Sequence, residues 1–343
     1  MAKTNPGRFF EDYRLGETIA HAVPRTLSGG ERALYHALYP ARHALASSDE
    51  FARNCGLPAA PFDDLITFHT VFGKTVPDIS LNAVANLGYA EGRFLKPVYP
   101  GDTLRSESEV IGLKQNSNGK SGVVYVRTTG RDQHGLPVLE YVRWVMVRKA
   151  NLDAPAPEAV LPALSKVVAP ADLVLPEGLD FSDYDFTLAG EPHRWGDYEI
   201  GEQIDHVDGV TIEEAEHMLA TRLWQNTAKV HFDATFREDG KRLIYGGHVI
   251  SMARALSFNG LANAQLIVGL NGGAHANPCF AGDTVRAWSE VLDKAETAAP
   301  GVGAIRLRLV ATRGGAPFVL KGEDGKYLPE VLLDLDYWAL MPM

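Results

Sequence analysis

Apolar and polar residues alternate along four segments of the chain, so that every second side chain is apolar. The segments are 123–130, 138–149, 304–312 and 331–340. Period-two alternation is typical of β-strands that bury one face. Apolar residues at helical spacing occur instead at 65–72 and 249–256. A sheet with one apolar face needs a cover, and we expect these two helices to provide it.

Short motifs mark where helices begin. Ser28 and Glu31 stand at the spacing of a capping box, as do Thr211 and Glu214 later in the chain. A glycine pair at 246–247 precedes the apolar helix of the second half. Each half therefore predicts an opening segment, a helix, a second and more apolar helix, and then several strands, which is an α+β order.

The chain also resembles itself. FEDYRLGETIAH at 10–21 matches WGDYEIGEQIDH at 195–206, an offset of 185 residues. The segment 88–110 matches 269–291 at an offset of 181, sharing P-x-x-x-G-D-T-x-R and a final S-E-V. Two matches in the same order indicate a duplicated unit. We predict an N-terminal repeat at 8–150 and a C-terminal repeat at 193–343.

A proline- and alanine-rich linker at 151–192 separates the predicted repeats. It contains five prolines within residues 155–176 (Pro155, Pro157, Pro162, Pro170 and Pro176). Proline lacks a backbone N–H and breaks helix interiors, so this segment should hold neither a long helix nor a central strand. We expect it to cross the surface between the halves.

Composition excludes several classes of protein. The 343 residues are 45% hydrophobic and 22% charged, as in an ordinary globular protein. A net charge of −10 disfavours binding to nucleic acid or to anionic membranes. Cys55 and Cys279 are too few and too distant for a disulfide framework or a cysteine metal site. With no signal peptide or membrane span visible in the sequence, we expect a cytoplasmic location.

An antiparallel sheet wrapped around one apolar helix is the hot-dog fold, and the repeated segments resemble the MaoC-like dehydratase family within it. That family carries P-x-x-x-G-D where a strand follows the central helix. The motif occurs in both halves, at Pro97, Gly101 and Asp102 and again at Pro278, Gly282 and Asp283. The resemblance implies a tandem (double) hot-dog fold, with two antiparallel sheets that each wrap around a central helix.

The catalytic motif of the family, D-x-N-P-x-H, is altered in this chain. WQNTAKVHFD places Asn226 and His231 five residues apart, at the family's Asp and His positions, so the Asp has become Asn. The aligned positions in the first half are Arg42 and Ser47. The resemblance therefore implies a catalytic C-terminal repeat and a degenerate, non-catalytic N-terminal repeat that shapes the acyl pocket.

The resemblance also implies an activity, the reversible hydration of an enoyl-CoA thioester by a hydro-lyase. The phrases WQNTAKVHFD and YGGHVISMARALSFNG are most similar to members that convert mesaconyl-CoA (2-methylfumaryl-CoA) plus water to erythro-β-methylmalyl-CoA. Three alternatives stay open: an (R)-specific hydratase for other acyl chains, a thioesterase, and a non-catalytic acyl-CoA-binding protein.

Hydration needs an activated water, a proton for Cα and stabilisation of the negative charge on the thioester oxygen. His231 is the candidate general base and acid, although a packed core histidine is the plainer interpretation. Asn226 is the candidate for orienting the water, and it could equally end the preceding helix. The amide of Gly247 is the candidate oxyanion donor at a helix N-terminus, where glycine also serves the turn. Asp233 is more simply read as a surface acid.

The substrate-binding candidates rest on charge alone. His248 and Arg254 could bind a substrate carboxylate, and Arg93, Lys96, Lys229 and Arg286 could bind the phosphates of coenzyme A. We predict no metal or redox cofactor, since coenzyme A is part of the substrate and no metal or nucleotide motif occurs. The predicted partners are an acyl-CoA substrate and a second copy of the chain in a homodimer.

Overall fold

A computed structural model of the chain describes residues 3–343. It contains ten strands: β1 Thr18–Thr26, β2 Ala83–Phe94, β3 Thr103–Gln115, β4 Ser121–Arg131, β5 Pro137–Arg148, β6 Gln203–Thr211, β7 Leu266–His275, β8 Thr284–Glu296, β9 Val302–Arg313 and β10 Val331–Pro342. Nine α-helical segments lie within the same residues: α1 Gly29–Leu38, α2 Ala44–Ser47, α3 Asp49–Asn54, α4 Asp64–Thr75, α5 Phe186–Ala189, α6 Glu214–Leu223, α7 Lys229–Phe232, α8 Gly246–Leu256 and α9 Phe258–Leu261. The four segments of alternating residues correspond to β4, β5, β9 and β10.

The sheet is symmetric about its centre. Its strand order is β1-β3-β4-β5-β2-β7-β10-β9-β8-β6, and all of the named pairs are antiparallel. The first five strands and the last five therefore have the same topology, read from opposite edges. This arrangement is the double hot-dog fold that the sequence predicts.

The two halves share one sheet, whereas the sequence predicts two separate sheets. Strands β2 and β7 pair through Tyr89↔Gly273, Gly92↔Leu270 and Arg93↔Gly269. A Cβ on Gly92 would lie 2.6 Å from the Cβ of Leu270, so glycine permits this close approach. An open strand edge exposes unpaired N–H and C=O groups. In the β2–β7 pair, these groups of each half form hydrogen bonds with those of the other half.

Each half wraps its sheet around one buried helix. Helix α4 packs against β1, β3 and β5 of the first half, and α8 packs against β6, β8, β9 and β10 of the second half. Every residue of α4 after Asp64 and every residue of α8 after Gly246 is buried. Burial on all sides is typical of a central helix, and both helices include the segments predicted from helical spacing.

One predicted helix start is confirmed and the other is wrong. Ser28 caps α1, and the Glu31 carboxylate accepts a hydrogen bond of 2.7 Å from the Ser28 amide. Thr211 does not cap α6, because it is the last residue of β6 and its hydroxyl bonds that of Thr284 at 2.8 Å. Helix α6 therefore starts later, with Glu213 at its N-cap.

The linker does more than cross the surface. Residues 151–192 hold only the four-residue α5, one 3-10 turn and an isolated bridge to β3. Val168, Leu173 and Phe181 are nevertheless buried against Trp338 of β10, whose indole N–H donates to the Val168 carbonyl at 3.0 Å. Because Tyr337 and Ala339 belong to the core around α8, the alternation along β10 places Trp338 on the other face, which the linker covers.

The contact between α4 and the end of α6 leads to a stability prediction. A Cβ on Gly73 would lie 1.7 Å from the carbonyl oxygen of Trp224. Helix propensity alone would make Gly73→Ala stabilising by about 1 kcal/mol. Overpacking against backbone costs about 1–3 kcal/mol, so we expect a net loss of stability, measured as a lower urea midpoint.

The matched control for this variant is Gly29→Ala in the first turn of α1. A Cβ on Gly29 meets no atom within 4 Å, so the urea midpoint should stay the same or rise slightly. If Gly73→Ala unfolds at the wild-type midpoint or above it, the close contact between the two halves is wrong.

Candidate active site

A cavity of about 400 Å³ lies where the two halves meet. The first half contributes the end of α4, the start of β2 and one residue of β5 (Phe72, Ser80, 83–86, Tyr89 and Arg143). The second half contributes the loop after α6, the start of α8 and the end of β7 (Asn226, Ala228, Val230, His231, 243–246, Val249, 275–279 and Leu332). A ligand in this cavity would therefore contact both repeats.

His231 lines the cavity from the short helix α7. Its Nδ1 is 2.8 Å from the carbonyl oxygen of Leu243. Because a carbonyl only accepts, Nδ1 carries the proton and Nε2 of the neutral ring is left as an acceptor. Burial lowers the pKa of His231 to about 4, although the Leu243 bond opposes the shift. His231 is partly exposed. At physiological pH its ring is neutral and can accept a proton.

Asn226 is 3% exposed and lines the same cavity. Its Oδ1 accepts a hydrogen bond of 3.2 Å from the Ala228 amide, which leads the chain into α7. Among residues 3–343 its Nδ2 has no hydrogen-bond partner, so this group can donate to a molecule in the cavity. The left-handed residue after α6 is Gln225, with φ 56°, so Asn226 is not the residue that turns the chain at the helix end.

The N-terminus of α8 meets the cavity at Gly246, while Gly247 does not line it. Tyr245, the N-cap residue, forms no side-chain capping bond, so the first amides of α8 have no side-chain acceptor. A Cβ on Gly246 would lie 2.4 Å from the His275 ring, and one on Gly247 would lie 2.4 Å from the Tyr245 ring. Both glycines are therefore required for packing, and the oxyanion role of Gly247 stays a prediction.

Three residues of the cavity were missed in the sequence. His275 ends β7, and the Tyr89 hydroxyl lies 3.2 Å from its Nε2. Burial and, to a smaller extent, the charge of His231 together lower the pKa of His275 to about 4. Arg143, from β5, is fully buried. No family motif marks His275 or Tyr89, but Arg143 stands in the buried phase of an alternating strand, which is a signal visible in the sequence.

The two residues proposed to bind a substrate carboxylate lie away from the cavity. His248 is buried between the Tyr39 hydroxyl, 2.9 Å from its Nδ1, and Glu216, 3.1 Å from its Nε2. Arg254 is also buried, and it donates to Ser257 and to the Ala264 carbonyl. Both point into the protein because every residue of α8 after Gly246 is buried.

The proposed phosphate-binding residues do not line the cavity either. Arg93 pairs with Glu140 at 3.3 Å, Lys96 pairs with Asp132 at 2.5 Å, and Arg286 donates to the Val207 carbonyl at 2.8 Å. Lys229 is exposed on α7, two residues before His231. The first three are held by partners in their own half of the chain. Asp233 is a surface acid that caps the turn at Thr235.

Within residues 3–343, no group of three or more His, Cys, Asp or Glu side chains could hold a metal ion. Cys55 and Cys279 are free and buried. No helix of the same residues has both the length and the apolar character needed to span a bilayer.

Comparison with known proteins identifies relatives over the whole chain. A family model described as mesaconyl-CoA hydratase matches residues 1–323. Mesaconyl-CoA hydratase of Cereibacter sphaeroides is 81% identical over 341 residues, 99% of each chain. Beta-methylmalyl-CoA dehydratase of Chloroflexus aurantiacus is 58% identical, again over 99% of each chain.

Solved structures agree with the fold. The crystal structure of a MaoC domain protein dehydratase from Chloroflexus aurantiacus has a TM-score of 0.97 at 57% identity, over 100% of this chain and 99% of that one. A Mycobacterium tuberculosis protein described as having a double hotdog fold has a TM-score of 0.76 at 25% identity, over 98% of both chains.

The environment of His231 leads to a prediction that requires no substrate. Because burial lowers its pKa, the ring should stay neutral as the pH falls through 6.5 and take up a proton only near pH 4. Nitrogen NMR of histidine-labelled protein, assigned with a His231→Ala variant, measures both this pKa and the protonated nitrogen. A ring that titrates near 6.5, or that carries its proton on Nε2, would contradict the geometry.

Proposed function

The chain belongs to the mesaconyl-CoA hydratase family, and from this membership and the geometry of the cavity we propose that it interconverts mesaconyl-CoA plus water with β-methylmalyl-CoA in the cavity between its halves. One observation carries the site assignment: His231, whose Nε2 is free, lines the same cavity as the N-terminus of α8. A base and a set of unpaired amides are the two groups that addition of water to an enoyl thioester requires.

His231 moves the proton in this mechanism. As the water oxygen bonds to Cβ, Nε2 takes one water proton and the electrons of the double bond shift towards the thioester oxygen. The imidazolium then returns that proton to Cα, so one water is added and the enzyme is regenerated. The Leu243 carbonyl holds Nδ1–H throughout, which keeps the ring oriented and stabilises the imidazolium.

The other two roles belong to Asn226 and the start of α8. The free Nδ2 of Asn226 donates to the water oxygen. This bond orients the water so that one of its protons points to Nε2 of His231. The amide of Gly246, which lines the cavity, stabilises the charge that develops on the thioester oxygen, aided by the helix dipole. The Gly247 amide, next along the helix, is the second donor that the sequence predicts. An amide cannot act as a base at neutral pH, so His231 alone carries the proton that the family's Asp–His pair would share.

The first half lacks both the histidine base and an uncapped start of its central helix. Ser47, aligned with His231, donates to the His43 carbonyl at 2.9 Å, and the Arg42 guanidinium lies over the Phe258 ring at 4.3 Å. At the start of α4, Asp63 occupies the Leu65 amide at 2.9 Å. Because this side chain already accepts from an amide at the helix start, that amide is not available to an enolate oxygen, and we infer that the N-terminal repeat is non-catalytic.

Assembly and location are predicted from sequence only. The duplicated chain already pairs two hot-dog units, and its sheet ends at β1 and β6. We propose that the chain forms a homodimer in the cytoplasm.

Replacing His231 by Ala should lower the rate of mesaconyl-CoA hydration by about 10²–10⁴-fold, the usual contribution of a general base. The assay follows loss of the ultraviolet absorbance of the enoyl thioester. His134→Ala is the matched control, because this histidine is exposed in the turn between β4 and β5, and its rate should equal that of the wild type.

Two results would overturn the proposal. Near-normal hydration by a folded His231→Ala variant would remove this residue from the mechanism. Tight binding of mesaconyl-CoA by the wild type without any change in absorbance would instead identify a non-catalytic acyl-CoA-binding protein, and release of free thiol would identify a thioesterase.

A further inference from the structure

Arg143 is a charged residue at a buried position of β5, where the alternating pattern places apolar side chains. It stands in β5 between Tyr141 and Val145, which share its face of the sheet and are also buried. Its exposure is 0%, and it lines the cavity between the halves. A buried charge is costly unless it is paired, so Arg143 requires an explanation.

The contacts of Arg143 leave at least three of its five N–H donors free. Nη2 donates to Thr75 Oγ1 at 2.6 Å, and the guanidinium lies 4.3 Å from the centre of the Phe72 ring. Nε and Nη1 are buried and have no hydrogen-bond partner within residues 3–343. No carboxylate of those residues lies within ion-pair distance. The side chain is thus held firmly from one side and unpaired on the other.

The acid in this region is already committed elsewhere. Asp78 and Arg143 both influence the pKa values of Tyr13 and His21, so the two charges share a neighbourhood. Asp78 Oδ2, however, lies 2.8 Å from His21 Nδ1 and forms its ion pair there. The remaining titratable neighbours are tyrosines whose pKa values burial raises, such as Tyr141 to about 12. Neutral phenols cannot balance the guanidinium.

Arg143 is connected to the proposed reaction centre through one strand pair. It is the cross-strand partner of Tyr89 on β2. The Tyr89 hydroxyl reaches His275 at 3.2 Å, and His275 packs against Gly246 at the start of α8. Asn86, on the same strand as Tyr89, also lines the cavity, and both polar atoms of its side chain are buried without partners. Arg143 and Asn86 therefore bring unpaired donors to the cavity that Gly246, at the start of α8, also lines.

We propose that Arg143, with Asn86 beside it, forms the subsite for the free carboxylate of the substrate. The inference rests on the proposed function, because mesaconyl-CoA carries a carboxylate on the carbon that water attacks. One edge of a guanidinium offers two parallel N–H donors that match the two oxygens of a carboxylate. Thr75 takes one N–H of Nη2, so the other stays parallel to an unpaired N–H of Nη1 or Nε. The non-catalytic repeat thereby determines specificity, and the catalytic repeat supplies the base.

The subsite should discriminate against simple enoyl-CoA substrates. A substrate with a methyl group in place of the carboxylate would leave Nε and Nη1 buried and unpaired in the complex. Sites built to bond a polar group discriminate strongly against analogues that lack it, because the protein's own donors lose water without gaining a partner. Arg143 would then act against the analogue as well as in favour of the true substrate.

The test compares two substrates that differ only at this group. Tiglyl-CoA is mesaconyl-CoA with its carboxylate replaced by methyl. Arg143→Met, similar in length but uncharged, should lower kcat/KM for mesaconyl-CoA by about 10²–10³-fold, since each hydrogen bond between charged groups is worth roughly 10- to 100-fold. Its kcat/KM for tiglyl-CoA should stay the same or rise. Equal losses for both substrates would show a merely structural role and overturn the subsite.

Binding separates this inference from the proposed function. In the His231→Ala background, mesaconyl-CoA should bind at least about 10²-fold more tightly than tiglyl-CoA by calorimetry, and Arg143→Met should remove that preference. A carboxylate preference that disappears with Arg143 supports the subsite even if the wild type hydrates neither substrate. If Arg143→Met fails to fold, the His231→Ala comparison alone decides, and equal affinities for the two thioesters would overturn the subsite.

Discussion

The pairing of β2 with β7 is the constraint on which the rest of the structure depends. It joins two five-stranded sheets into one and places the end of β7 beside the middle of β2. Tyr89 and His275 meet across this junction at 3.2 Å. Without the pairing, each hot-dog unit would present a bare edge, and the cavity would lose one of its walls. The active site is therefore a property of the junction rather than of either repeat.

The two central helices, α4 and α8, differ at their N-termini. Helix α8 starts with two glycines and no side-chain cap, so its first amides are available to a ligand. Helix α4 starts with Asp63 and Asp64, whose carboxylates accept from the Leu65 amide and from the Ile267 amide of β7. One acid thus satisfies the helix itself, and the other fastens it to the second half. The start of α4 thus contributes to stability through its capping and cross-half bonds.

Sequence periodicity predicts the elements well and their assembly less well. Alternation and helical spacing identify β4, β5, β9, β10 and both central helices, because those patterns follow directly from burial on one face or on all sides. They cannot show that two sheets join, since edge pairing uses backbone groups common to every residue. Thr211 was misassigned for a related reason: a threonine before two acids suits a helix cap, yet its hydroxyl found Thr284 on the neighbouring strand.

The site shows the same division. The motif spacing predicts His231 and Asn226, and both line the cavity. The basic residues were chosen by charge, and two of them, Arg93 and Lys96, lie in local ion pairs. Arg143 was visible as a charge in the buried phase of β5. Burial affects the charge states of His231 and Arg143 differently. It drives the proton from His231, whose neutral ring can serve as a base, but arginine keeps its charge in proteins. One low-dielectric cavity thereby holds a neutral base and a permanent cation, the pair of states suited to a water and a carboxylate bound at adjacent positions.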